Sequence, residues 1–167
     1  FLAVVDATHP YAVEVTEHIK ESAKKTNLPY LRLSRSTAAE REIAEHEWMI
    51  HTVADTQECV ELLSKLPGNI LLTTGSKELH AYAAREEIRE RLFVRVLPGV
   101  ESIEICHREQ IPGKQIIAMQ GPFSKEMNLA MIRQYQASVL VTKESGKTGG
   151  EDTKLAAAGE AQIPSYI

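Results

Sequence analysis

Cysteine is nearly absent. Cys59 and Cys106 are the only two in 167 residues, and they stand far apart. With no CxxC pair, neither a disulfide framework nor a zinc site is indicated. Long apolar runs are missing as well; none approaches the roughly 20 residues that a membrane-spanning helix needs. The apolar opening Phe1–Val5 is interrupted by Asp6 and His9, so it does not read as a secretory signal. Basic charge is not in excess: 19 Lys and Arg against 23 Asp and Glu give a net charge of −4. That balance gives no electrostatic reason to expect nucleic acid or an anionic membrane surface as a partner. Neither GxGxxG nor GxxxxGK with a following Ser or Thr occurs, so neither named phosphate fingerprint applies. Spacing yields no Ser-His-Asp set, no paired carboxylates and no metal-ligand pattern, and no protein-held metal is expected. An initiator Met is absent too. The chain opens inside FLAVVD and closes on Ile163-Pro164-Ser165-Tyr166-Ile167, which reads as a strand beginning. The expectation is a fragment of a longer, cytoplasmic protein.

What is present is an alternation of two periods. Apolar, β-rich runs cover Phe1–Asp6, Pro29–Ser34, Trp48–Val53, Asn69–Thr74, Leu92–Leu97, Gln115–Met119, Ser138–Thr142 and Pro164–Ile167. Several are apolar at consecutive positions, such as Ile70-Leu71-Leu72 and Val139-Leu140-Val141, the mark of strands covered on both faces. Helical segments lie between them: Pro10–Lys25, with Thr8 as its expected cap, then Asp55–Leu66, Ser76–Arg91, Gly99–Glu109, Ser124–Tyr135 and Gly150–Ala161. Such alternation implies parallel strands joined by right-handed crossovers. The charged stretch Arg35–Glu47 lacks an apolar face and suggests a boundary. Residues 1–44 then form the tail of a first α/β domain, truncated at its N-terminus, and residues 45–167 a second.

Open α/β sheets bind ligands outside the carboxyl ends of their strands, where loops lead into helix N-termini. Four polar clusters, three of them bearing glycine, fall there. They are Asp6-Ala7-Thr8-His9-Pro10-Tyr11, Thr73-Thr74-Gly75-Ser76-Lys77, Gln120-Gly121-Pro122-Phe123-Ser124, and Thr142-Lys143-Glu144-Ser145-Gly146 with Gly149-Gly150. Together they supply backbone amides, hydroxyls and cations, the needs of an anionic ligand. Each cluster alone also has an ordinary structural reading as cap, turn or hinge residues. His18, His80 and Cys106 are expected to be structural or surface residues.

In order and spacing, VVDATHPYA, LLTTGSKEL, FVRVLP, IIAMQGPFS with Asn128 just beyond it, and VLVTKESGKTGGEDTKLAA resemble the precorrin-6A reductase family of cobalamin biosynthesis. The resemblance runs over essentially the whole chain. It implies two Rossmann-like domains, with NADPH or NADH and a tetrapyrrole between them. It further implies reduction of one carbon–carbon double bond of precorrin-6A or its cobalt form. Family members begin upstream with a glycine-rich loop that is not in this sequence. On this reading His9 and Tyr11 are the catalytic candidates, facing the nicotinamide or donating a proton. Thr8, His9, Pro10, Thr74, Gly75, Ser76 and Lys77 are expected at the cofactor. Gly121, Pro122, Phe123, Ser124, Asn128, Lys143, Ser145, Gly146, Gly149 and Gly150 are expected at the substrate. A non-catalytic α/β module binding a carboxylated or phosphorylated small molecule, or a methyltransferase of the same pathway, would use the same edge.

Overall fold

The computed structural model describes residues 1–8, 13–32, 47–144 and 150–167. Two compact units are present, Phe1–Ala38 and Ala39–Ile167. The boundary expected between residues 44 and 45 falls outside the described residues.

In the first unit, β1 (Val4–Asp6) and β2 (Tyr30–Arg32) pair in parallel across α1 (Val13–Lys25). The helix ends where Asn27 takes a left-handed φ of 53°. Its N–H donates to the carbonyl of Lys24 and that of Leu28 to the carbonyl of Ala23, a Schellman closure. The expected helix start at Pro10 lies outside the described residues.

The second unit is a six-stranded, wholly parallel sheet. Its strands are β3 (Ile50–His51), β4 (Asn69–Leu72), β5 (Leu92–Val96), β6 (Ile116–Ala118), β7 (Ala137–Val141) and β8 (Ser165–Tyr166). Their spatial order is β3-β8-β7-β4-β5-β6. All the strands expected from sequence exist; β7 is shifted one residue toward the N-terminus, and within the described residues the others are shorter than expected. The helices are α2 (Thr56–Leu63), α3 (Leu79–Ala83), α4 (Glu86–Arg89), α5 (Val100–Arg108), α6 (Lys125–Gln134) and α7 (Glu151–Glu160). Asp55 caps α2, its carboxylate accepting from the N–H of Glu58 at 2.9 Å. Glu58 in turn accepts from the N–H of Ala54 at 2.6 Å.

Strand pleating divides the core in two. Ile70, Leu72, Val94, Val139 and Val141 pack with Val60, Leu63, Leu79, Ile88 and Cys106, from α2 to α5. Leu71 and Leu140 pack with Leu129, Ile132, Ala157 and Ala158, from α6 and α7. The helices therefore change face after β6. Among the described residues, no helix is long and apolar enough to cross a membrane.

One expected element is divided. Periodicity predicts a single helix over 76–91, but the chain breaks at Ala84–Arg85, where Arg85 is extended (φ −97°, ψ 117°). Ile88 explains the break. In an unbroken helix it would point roughly half a turn away from Leu79. Both side chains are fully buried in one cluster, so the helix restarts in a new phase.

Leu72 touches no solvent. Leu72→Ala is expected to cost roughly 2–5 kcal/mol in denaturant unfolding. Val100→Ala, at a 73% exposed position, is expected to stay within about 0.5 kcal/mol.

Candidate functional site

The change of helix face puts a crevice beyond the carboxyl ends of β4 and β7. From β4 the chain turns to α3 on one face; from β7 it continues to α7 on the other. A cleft of about 340 Å³ opens there, among the loops after β4, β5, β6 and β7.

Its β4 side is tied to β7: the backbone N–H and the hydroxyl of Thr73 both donate to the carbonyl of Val141, at 2.8 and 2.9 Å. Thr74 is next in the chain, only 8% exposed, and its hydroxyl has no hydrogen-bond partner among the described residues. Gly75 takes a left-handed φ of 89°, and a side chain added there would meet none of the described residues within 4 Å. The glycine is thus required by backbone conformation and leaves open space above its peptide. Ser76 and Lys77 complete this edge.

Arg95, near the end of β5, is 6% exposed. Its Nη1 donates to Oδ1 of Asn128 at 2.7 Å, and the guanidinium lies 4.4 Å from the centroid of the Phe123 ring. Burial pulls its pKa down to about 10, so it is charged at neutral pH. Gly121, Pro122 and Phe123 form the opposite wall, with the Gly121–Pro122 peptide cis. A side chain at Gly121 would come to 3.1 Å from the Phe123 ring.

Lys143 enters from the end of β7, and Lys154 from α7. Lys154 is 6% exposed, and its Nζ donates to the hydroxyl of Thr142 at 3.2 Å. Burial lowers its pKa to about 8; the charges of Arg95 and Lys143 push the same way, and Glu151 opposes them. Among the described residues neither Arg95 nor Lys154 forms a salt bridge. A second cleft of about 260 Å³ shares Thr74 and Lys143 and reaches Cys59 and Tyr82. Burial raises the Cys59 thiol to about 11, which makes it inert; burial raises the Cys106 thiol too.

Thr74, Gly75, Ser76 and Lys77, expected at the cofactor, line the larger cleft together with Gly121, Pro122, Phe123 and Lys143, expected at the substrate. Ser124 and Asn128 do not line it. Ser124 caps α6, accepting from the N–H of Met127 at 3.2 Å. Asn128 is buried, and its amide donates to the Ser124 carbonyl at 2.9 Å while its oxygen holds Arg95. It reaches the cleft only through Arg95. Gly150 caps α7 at φ 65° and backs Pro122 and Phe123 rather than facing the opening. His9, Pro10, Tyr11, Ser145, Gly146 and Gly149 lie outside the described residues. Thr8 belongs to the first unit, where its N–H and hydroxyl both donate to Oδ1 of Asp6, at 2.9 and 2.6 Å. That hydroxyl is therefore spent on Asp6.

The family described as precorrin-6x reductase CbiJ/CobK matches residues 1–167. The chain belongs to this family. It is 39% identical over 162 residues to the cobalt-precorrin-6A reductase of Priestia megaterium, covering 95% of this chain and 61% of the relative. It is 37% identical over 166 residues to the cobalt-precorrin-6A reductase of Methanothermobacter thermautotrophicus, covering 98% and 53%. The chain thus spans somewhat over half the length of these reductase relatives. A solved structure, "CobK precorrin-6A reductase", has the same fold, with a TM-score of 0.54 at 21% identity over 99% of this chain and 63% of that one.

Arg95 and Lys154 were not among the residues expected at the site of this reductase-family chain. The available signal was a cation inside an otherwise apolar strand, Phe93-Val94-Arg95-Val96, and another beside the small-residue run Leu155–Gly159. Charged residues are almost never fully buried without a reason.

In the first unit Asp6 is held ionised. Thr8 and Tyr30 hydroxyls and the Thr8 N–H bond its carboxylate, and Arg32 lies at 2.8 Å. These donors hold its pKa far below the ordinary 3.8. Its contribution to stability is present above that ordinary value and is lost as pH falls through the lowered one. Carbon-detected NMR is expected to find the Asp6 carboxylate ionised below pH 3.8; a titration at the ordinary value would contradict the network.

Proposed function

We propose that this chain carries the ligand-binding edge of an NAD(P)H-dependent reductase that saturates one carbon–carbon double bond of precorrin-6A or its cobalt form, in cobalamin biosynthesis. The observation that carries the reading is the convergence, in a family member, of the Thr73–Lys77, Gly121–Phe123 and Lys143 segments on a single cleft at the sheet's switch point. The names of the curated relatives supply the reaction. On this reading residues 1–44 are the end of the cofactor domain and residues 45–167 the second domain.

The residues present suit a nucleotide. The open backbone at Gly75 and the unpartnered hydroxyl of Thr74 offer what a phosphate needs, close approach and a donor, beside the cation of Lys77. Thr74, Gly75, Ser76 and Lys77 would hold NADPH or NADH. When bound, that cofactor supplies the hydride.

The chain's part is position and proton supply. Gly121, Pro122 and Phe123 would present an apolar wall to the macrocycle, with Ser124 and Asn128 fixing that loop from behind. Lys143 would meet its rim carboxylates. His9 or Tyr11 is the proposed donor of the proton to the neighbouring carbon. Orientation alone can supply roughly 7–11 kcal/mol of rate enhancement, so a dedicated acid need not dominate.

The test monitors NADPH consumption at the nicotinamide absorbance, in the protein that contains this chain, with precorrin-6A and with its cobalt form. Substrate-dependent loss of absorbance is expected; its absence in folded, NADPH-binding protein would contradict the reading. Lys143→Ala is expected to raise the substrate KM about ten- to a hundredfold, the effect of losing a charge-assisted contact of roughly 1.5–3 kcal/mol.

A further inference from the structure

Arg95 and Lys154 are two like charges taken out of water on neighbouring walls of one cleft. Each has a neutral tether. Arg95 donates a hydrogen bond from Nη1 to Asn128 and packs on Phe123; Lys154 donates one from Nζ to the Thr142 hydroxyl. Neither tether offsets a charge. Removing an ion from water costs several kcal/mol, recovered only through a counter-charge in good geometry. Among the described residues no carboxylate lies within salt-bridge distance of either. Glu151 acts on Lys154 only from farther away.

Three features point to a ligand as the counter-charge. Both cations reach the same opening. Thr74, on the wall formed by the end of β4, has a buried hydroxyl with no hydrogen-bond partner among the described residues. Among the described residues, Nε and Nη2 of Arg95 make no hydrogen bond, which leaves the planar edge suited to an oxyacid.

We infer that Arg95, Lys154 and Thr74 form a built receptor for one anionic oxygen group, a carboxylate or a phosphate, that seats the ligand of this cleft. This rests on the reading of the cleft as the ligand-binding edge, and it moves the anchoring charge from the exposed Lys77 and Lys143 to a buried pair. Asn128, which fixes Arg95, is then a positioning residue. The receptor also has a pH limit. Lys154 faces Arg95, Lys143 and Glu151, and its titration near 8 leaves it neutral in alkali unless an anion holds its proton. Anion affinity is therefore expected to fall as pH rises past about 8.

The test is calorimetric titration of the 167-residue chain with sulfate at constant ionic strength, whose charge is constant across the range, alongside thermal melts. One sulfate is expected to bind and to raise the melting midpoint, more at neutral than at alkaline pH. Lys154→Met and Arg95→Met are each expected to weaken sulfate at least tenfold. The ligand-free midpoint should stay unchanged or rise, because a buried unpaired charge has gone. Lys154→Arg should restore binding, and Lys65→Gln, on the surface, should have no effect. Displacement of sulfate by NADPH assigns the receptor to a cofactor phosphate; displacement by coproporphyrin, a tetrapyrrole carrying propionates, assigns it to a substrate carboxylate. Sulfate binding that neither displaces, an adventitious ion only, would overturn the inference, as would unchanged binding in both methionine variants. If the sulfate site behaves as described while reductase activity is absent, the reading of the reaction fails and the receptor stands. If activity is present and the variants are silent, the receptor fails alone.

Discussion

The larger unit depends on β4 being covered on both faces. Ile70 and Leu72 are sealed by one set of helices and Leu71 by the other, so the strand can pass to polar structure only at its ends. At its carboxyl end the neighbouring connections leave for opposite sides of the sheet. The gap between them cannot be filled by either helical layer. The cleft is a consequence of the topology, and the Thr73–Lys77 loop forms its rim because the chain leaves β4 at that point.

The same burial sets the electrostatics. Arg95 sits in a strand whose neighbours Val94 and Val96 are core residues, and Lys154 in a helix whose small side chains let it lie close to the sheet. Neither residue can withdraw to water without disturbing its element. The pair is kept in place by the Asn128, Thr142 and Phe123 contacts. Stability is given up for a preformed positive pocket, as expected where binding, not folding, sets the residue.

Much of this was legible in the sequence. Consecutive apolar positions in Ile70–Leu72 and Val139–Val141 marked the doubly covered strands, and Asp55 and Ser124 marked helix starts, because both signals are local. The split of 76–91 was not legible: its cause is the tertiary demand of Ile88, which no local propensity carries. At the site, the loops were found because glycine and hydroxyl clusters at strand ends are visible in one dimension. Arg95 and Lys154 were missed because a charge inside an element reads as a solvated face until burial is known. Asn128 was found by resemblance, yet it acts from behind the cleft by fixing Arg95.

The most direct test of the account is a backbone NMR map of this chain titrated with NADPH and, separately, with a carboxylated tetrapyrrole. Shifts are expected at Thr73–Lys77, Arg95–Leu97, Gly121–Phe123, Lys143 and Lys154, the carboxyl edge of the sheet. Shifts confined to the opposite edge, or none with either ligand, would contradict it.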